Sequence, residues 1–280
     1  GFFYVTNHGV PKELVERMYA ATKEFFELPA EEKQRLNVTN SGPTLRGYIP
    51  PYAENADPAK SIDFKEAFDY GVDEAEVSPF FGPNLMPAEL PGFKETCEEY
   101  HDAMMGLARK LVSAFALALG LPADHFEQKQ RHPITIQRLL HYPTQKGMVT
   151  EKEIGIGAHT DYGFLTILSQ DAVGGLQVRN SEGEWISAPP VEDAFVINIG
   201  DMLARWTNGR WASTLHRVVN PPLGMAQSRR LSIGMFVHPN YDQRIECVPT
   251  CLAPGEKPRY ETISAGEHIK RKIERSHAAA

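Results

Sequence analysis

His159, Asp161 and His216 have the side chains that hold a divalent metal. His159-Thr160-Asp161 puts an imidazole and a carboxylate two positions apart in a strand-like run that ends in Tyr162-Gly163. On an extended strand such residues project from one face. His216 lies in a second strand-like run, Thr214-Leu215-His216-Arg217-Val218-Val219-Asn220, and can close the set from a neighbouring strand. Two neutral imidazoles and one carboxylate on one side of a metal suit Fe(II) and leave the opposite positions open for other ligands. Taken alone, His-x-Asp reads equally well as a histidine bonded to a turn aspartate, and a single strand histidine is by default a core or surface residue.

Arg230-Leu231-Ser232 repeats the spacing of two. A guanidinium and a hydroxyl on one strand face can jointly hold one carboxylate, the arginine giving paired hydrogen bonds. Arg229 points to the other face and suits a solvent-facing charge. Tyr142, in His141-Tyr142-Pro143, can add a hydroxyl to the same carboxylate or serve as a buried structural tyrosine. His8, in the turn Asn7-His8-Gly9, reads as a turn residue rather than a site residue. Cys97, Cys247 and Cys251 are too few for a disulfide framework. Cys247 and Cys251 flank Pro249 with no further cysteine or histidine near them, so reduced thiols are expected and not a zinc site.

The elements that must position these residues follow from periodicity. Gly1–Thr6 is aromatic and β-branched, hence a strand. Leu14, Val15, Met18, Tyr19, Thr22, Phe25 and Phe26 recur at helical spacing over residues 11–27, with Pro11 at the start. Residues 29–92 read as irregular, with ordered pieces at Arg46–Pro50 and Phe64–Asp69; the run Phe64-Lys65-Glu66 can equally be an edge strand. A second stripe, Tyr100, Met104, Leu107, Leu111, Phe115 and Leu119, makes Phe93–Leu119 a helix that Gly120 ends. A short helix is expected to begin at Leu121–Phe126. After residue 132 about eight strands follow: Ile134–Tyr142, Ile154–His159, Phe164–Ser169, Leu176–Arg179, Trp185–Ser187, Ala194–Ile199, His216–Val219 and Arg230–Val237. Turn signals separate them, at Gly174-Gly175, Ser181–Gly183, Asn198–Asp201 and Asn220-Pro221-Pro222. Ser264–Ser276 reads as a charged surface helix and Ala278–Ala280 as an unstructured tail.

The expected fold class is α+β, mainly β: a jelly-roll core flanked by helices. One structural domain is expected, in three parts: a helical and loop part over 1–131 that wraps the core, the core over 132–240, and an extension with a surface helix over 241–280. Hydrophobic residues at 42% supply a core, and a net charge of −7 argues against a nucleic-acid partner. No apolar run approaches the ~18 residues of a membrane span. No signal peptide is apparent. A cytoplasmic protein with no membrane association and no implied protein partner is expected. The chain opens at Gly1 inside a strand-like run, so an upstream segment is expected too.

Several pieces in order carry a resemblance: Gly1–Val10, Arg46-Gly47-Tyr48, His159–Gly163, Gly174–Val178, Asn198–Asp201, Leu215–Val218 and Arg230-Leu231-Ser232. With them the chain resembles the isopenicillin-N-synthase-like family of Fe(II)/2-oxoglutarate-dependent dioxygenases. The resemblance implies a double-stranded β-helix core, iron ligands at His159, Asp161 and His216, and 2-oxoglutarate recognition by Arg230, Ser232 and Tyr142. It implies Fe(II), 2-oxoglutarate and O2 as cofactor and co-substrates. Oxidation of a small organic molecule, hydroxylation by default and desaturation or ring closure as variants, would accompany conversion of 2-oxoglutarate to succinate and CO2. Plant members usually carry Asn-Tyr-Tyr-Pro before the metal motif. Here Leu140-His141-Tyr142-Pro143 keeps the second tyrosine, and His141 can replace the missing polar contact or point away.

Two other readings stay open on the sequence. Isopenicillin N synthase and aminocyclopropane-carboxylate oxidase use the same scaffold without 2-oxoglutarate, their Arg-x-Ser holding substrate; the synthase's relatives have a tail with Gln near the metal, where this chain reads Ser276-His277-Ala278. A jelly-roll module that binds a small acid without catalysis is the other. Candidate substrate-pocket walls are Arg46, Tyr48, Phe64, Phe164 and Phe236, each of which also suits core or surface packing.

Overall fold

Strands with alternating apolar residues assemble into two antiparallel sheets whose inner faces meet. The computed structural model describes residues 1–56, 61–144, 153–220 and 229–277. The larger sheet holds β1 (Phe2–Val5), β2 (Gly47–Ile49), β4 (Glu66–Tyr70), β5 (Pro133–Tyr142), β8 (Leu165–Gln170), β11 (Phe195–Ile199) and β13 (Arg230–Asn240), in the order β1-β11-β8-β13-β5-β4-β2. The smaller holds β7 (Ile156–His159), β9 (Leu176–Arg179), β10 (Trp185–Ser187) and β12 (His216–Val218), in the order β10-β9-β12-β7. Two-residue pairs link β3 (Ile62–Asp63) to β6 (Glu153–Ile154), and β14 (Arg244–Ile245) to β15 (Ile263–Ser264). This is the expected jelly-roll architecture.

Register decides which residues reach the space between the sheets. Arg230 opposes Tyr142, Ser232 opposes Leu140, Gly234 opposes Arg138 and Phe236 opposes Ile136. Opposed residues of antiparallel strands share a face. The even positions of β13 therefore face the smaller sheet together with Tyr142, Leu140 and Arg138. An inner apolar cluster joins Ala67, Leu140, Tyr142 and Val196 of the large sheet to Leu176 and Val218 of the small one. Leu231, Ile233, Met235 and Val237 face the other way, into the helix-packed core.

Two amphipathic helices cover that outer face. The helix α1 (Lys12–Glu27) buries Leu14, Met18, Thr22, Phe25 and Phe26. The longer α3 (Phe93–Ala118) buries the expected stripe, including Cys97, Tyr100, Met104 and Phe115. Phe25 stacks on Phe93 at 5.6 Å and meets Phe68 of β4 at 4.5 Å, so helices and sheet share one aromatic cluster.

Several expectations change. Residues 122–130 are not a helix of the α type: His125 N bonds Pro122 O, Glu127 N bonds Asp124 O and Lys129 N bonds Phe126 O, all tight three-residue closures. Phe126 is fully buried against Phe164 and Trp206, which fixes the segment by anchoring rather than by helical repeat. The 29–92 region contains a short helix, α2 (Ala30–Arg35). Phe64-Lys65-Glu66 is no edge strand: Phe64 and Lys65 precede β4, and β2 and β5 flank β4 itself. Asp201 begins a helix, α4 (Asp201–Trp206), where a turn was expected. The C-terminal α5 (Ala265–His277) is only partly a surface helix, since Ala265, His268 and Ile269 are buried. Pro221-Pro222 and Ala278–Ala280 lie outside the described residues. No helix among the described residues is long and apolar enough to cross a membrane.

Two buried histidines make stability depend on acid. Burial holds His238 and His268 down at about 4, against about 6.5 in an unfolded chain. Between these values the unfolded chain binds more protons than the folded one. Their stabilising effect is therefore whole above about pH 6.5 and is lost as pH falls toward 4. The unfolding free energy of the metal-free protein, read by urea titration, should drop between pH 7 and pH 5 by on the order of 2 kcal/mol per histidine. His268→Gln should flatten that slope, and an unchanged slope would show that His268 titrates normally.

Candidate metal centre

The three metal-type residues meet where β7 and β12 pair. His216 opposes His159 in the ladder, and their rings lie 4.2 Å apart. Asp161 follows β7 in the turn at its end. One ligand-type atom from each of His159, Asp161 and His216 lies within 4.8 Å of the others, and among the described residues they form the one such cluster. Asp161 Oδ1 is 3.7 Å from His159 Nε2 and 3.6 Å from His216 Nε2.

Each ligand atom is aimed by a partner behind it. Nδ1 of His159 meets Gly157 O at 2.8 Å, and Nδ1 of His216 meets Thr214 O at 3.1 Å. A carbonyl only accepts, so both Nδ1 atoms carry the proton and both Nε2 lone pairs face the shared point. Asp161 Oδ2 accepts from Thr166 Oγ1 at 2.5 Å and from Asn198 Nδ2 at 2.6 Å, which leaves Oδ1 free. Burial pushes the Asp161 carboxyl up, but the two imidazoles and these two hydrogen bonds outweigh it and hold it below its usual value. Burial and nearby His159 bring His216 down to about 4. Near neutral pH the donor set is one carboxylate with a neutral His216 imidazole, which fits a hard-to-borderline divalent ion such as Fe(II).

A buried cation lies toward the other end of the inner face. Arg230 is 1% exposed. Its Nη1 donates to Ser232 Oγ at 3.0 Å and its Nη2 to Gln170 Oε1 at 3.2 Å, while its carbon lies 4.6 Å from the Tyr142 ring centre. Its Nε has no hydrogen-bond partner among the described residues. No carboxylate among the described residues lies within ion-pair distance of it. A charge so buried is normally paired, and a carboxylate ligand would supply the missing partner. A pocket opens there, lined by Phe64, Tyr142, Gly155, Val218, Asn220 and Arg230.

The structure thus brings His159, Asp161 and His216 together, and Arg230, Ser232, Tyr142 and Phe64 together. It separates the remaining pocket candidates. Arg46 is 3% exposed and donates to the carbonyls of Val72, Phe80 and Gly82, so it fastens a loop. Tyr48 donates to Glu66 on the helix-covered side of the sheet. Phe164 packs between Phe126 and Trp206 in the outer core. Phe236 does face inward, opposite Thr166, with Arg138 5.9 Å from its ring centre. His141 points away: its Nδ1 meets Glu66 Oε1 at 2.7 Å on the outer face, and Leu140 takes the inner position.

Sequence reasoning missed several residues. Thr166, Asn198 and Gln170 support the site from β8 and β11, and no local spacing marks them. Phe2 packs edge-on against His216 at 5.1 Å. Arg138 is held by Asp69 through bonds of 2.8 and 2.7 Å and by Glu54 at 2.9 Å, a charged group on the same inner face as Phe236. The alternation of β5 places it there.

Comparison with known proteins agrees with this geometry. Residues 133–239 match the family model of the 2OG-Fe(II) oxygenase superfamily, and residues 1–89 match that of the non-haem dioxygenase in morphine synthesis N-terminal family. Homoarginine-6-hydroxylase 2-ODD-233 of Oryza sativa subsp. japonica is 40% identical over 98% of this chain and 84% of its own. Azadirone synthase of Melia azedarach is 38% identical over 96% of this chain and 83% of its own. A full-length Neurospora crassa protein, crystallised in complex with alpha-KG (2-oxoglutarate) and thymine, aligns with a TM-score of 0.87 at 34% identity, covering 100% of this chain and 87% of that one.

Proposed function

The chain belongs to the 2OG-Fe(II) oxygenase superfamily, and from that premise we propose which residues carry its reaction and what kind of molecule it oxidises. It is a 2-oxoglutarate-dependent Fe(II) oxygenase. Bound together, Fe(II) and 2-oxoglutarate supply the oxidising chemistry, O2 being consumed and succinate and CO2 released as substrate is oxidised.

The chain's own residues hold, orient and shield. His159 Nε2, Asp161 Oδ1 and His216 Nε2 would hold the metal. Thr166 and Asn198 fix which carboxylate oxygen faces it. Arg230 with Ser232 holds the distal carboxylate of 2-oxoglutarate, and Tyr142 stands against the guanidinium. Leu140, Val196 and Val218 line the space between the sheets and keep it dry. The single observation that carries this reading is the buried Arg230 guanidinium, which has no carboxylate partner among the described residues.

The substrate is a small organic molecule held on the Arg138 side of the metal. Arg138, Asp69 and Glu54 offer donors and acceptors beside the Phe236 ring. That suits a small, polar, nitrogen-bearing molecule, a description that covers both homoarginine and thymine, the molecules named with two of the relatives. Placement in the cytoplasm is part of the same proposal. The test begins without oxygen: 2-oxoglutarate added to the Fe(II) protein should produce a visible charge-transfer band. With air, slow succinate release should follow, and a panel of small amino acids and nucleobases should accelerate it. Oxygen uptake that ignores 2-oxoglutarate would sink the assignment of Arg230.

A further inference from the structure

The run Asn198-Ile199-Gly200-Asp201 does more than supply Asn198. Its backbone is laced to the turn that carries Asp161: Asp201 N donates to Asp161 O at 2.8 Å, Met202 N to Gly163 O at 3.0 Å and Gly200 N to Phe164 O at 3.1 Å. The approach is so close that a Cβ on Gly200 would sit 2.2 Å from Gly163 O. The Asp201 side chain reaches the same turn, accepting from Thr160 Oγ1 at 3.3 Å through Oδ2. Asp201 is thus the outer clasp of the metal-ligand turn.

Something holds the clasp. Lys272 Nζ of α5 lies 2.5 Å from the same Asp201 Oδ2. It also lies 5.6 Å from the ring centre of Tyr162, inside the turn itself. α5 is well seated: Ala265 and Ile269 are buried, Glu267 N donates to Ser264 Oγ at 3.2 Å and Gly266 N to Tyr241 O at 2.8 Å. The lysine therefore projects from a fixed base. The Lys272 and Asp201 side chains are 29% and 15% exposed. Both side chains are mostly sheltered, so the ion pair holds a fixed place against the 160–163 turn.

We infer that Lys272 is a positioning residue for the metal centre: the C-terminal helix fixes Asp201, and Asp201 fixes the 160–163 turn so that Asp161 Oδ1 stays aimed at the two imidazoles. The inference rests on Asp161 being a metal ligand. Supporting residues behind metal ligands commonly change metal affinity by roughly 10–100-fold when removed.

The test uses the full chain and Co(II) alone, without 2-oxoglutarate, and reads the rate at which a chelator strips the metal. Lys272→Met should release Co(II) about tenfold faster than the parent protein. Its far-UV circular dichroism should match the parent's, so that faster release reports the metal site and not a loss of fold. Asp201→Ala should behave alike, and the double variant should release no faster than Asp201→Ala, since Lys272 acts through Asp201. Lys272→Arg should retain the slow release. Two results would overturn the inference: Lys272→Met releasing at the parent rate, or releasing more slowly because the freed Asp201 carboxylate attracts the cation. A parent protein that binds no Co(II) would instead overturn the ligand assignment beneath it.

Discussion

Asp161→Asn should fold and should fail to retain metal. The substitution keeps an oxygen for Thr166 and Asn198, whose bonds of 2.5 and 2.6 Å would otherwise be lost inside the core. Each such orphaned group costs about 1–3 kcal/mol, which is why Asp161→Ala would confuse folding with binding. What Asn removes is the negative charge opposite two imidazoles whose Nε2 atoms stand 3.7 and 3.6 Å from Oδ1. The loss in Co(II) affinity should exceed the roughly 10–100-fold seen when only a supporting hydrogen bond goes. Succinate formation dependent on 2-oxoglutarate should fall with it. Absorption titration with Co(II) reads the first effect and a succinate assay the second. Co(II) binding of parental strength in Asp161→Asn would reduce the carboxylate to a turn contact.

Arg230→Met should separate stability from co-substrate binding, moving them in opposite directions. The guanidinium is 1% exposed and has two neutral acceptors, Ser232 and Gln170, with Nε left over. Desolvating an ion costs several kcal/mol, and an apolar side chain of similar volume in its place is often neutral or stabilising. The ligand-free variant should therefore melt at or above the parent temperature. Binding of 2-oxoglutarate should weaken by about 30-fold or more, because truncating one side of a buried charge pair costs about 2–5 kcal/mol. Titration of the charge-transfer band measures the affinity, and melting with and without 2-oxoglutarate measures the rest: the ligand-induced rise should vanish in the variant. A variant that is strongly destabilised yet binds 2-oxoglutarate normally would make Arg230 a structural residue.

The two variants probe opposite ends of one inner face, and the register explains why a single sheet serves both. Thr166 opposes Phe236 and Gln170 opposes Ser232. The strand that steadies Asp161 at one end therefore contacts Arg230 at the other. The charged group of Arg138, Asp69 and Glu54 sits on the Phe236 side. Burial would raise the Glu54 carboxyl, but Arg138 and Lys65 reverse that and hold it well below the usual carboxylate range. Glu54 and Arg138 are thus both charged near neutral pH, a polar wall beside an otherwise apolar space.

The amino-acid sequence by itself determined what depends on short range. Side chains alternate along a strand whatever the strand meets, so Arg230 with Ser232 was legible as a pair; His159 with Asp161 was legible from spacing, although Asp161 lies in the turn past β7. The helices α1 and α3 were legible from their buried stripes, and the jelly roll from strand count and turns. Tertiary structure alone decided which face is the inside and what stands opposite. Leu140 faces the cavity and His141 faces Glu66 because β5 lies between β13 and β4 in one register. The sequence leaves Arg46 open as a pocket wall or a surface arginine, because its partners, backbone carbonyls at 72, 80 and 82, leave no mark there. Thr166, Asn198 and Lys272 reach the metal turn from elements distant along the chain. Periodicity is a property of one strand's backbone, whereas aim is a property of the neighbours that the fold brings alongside it.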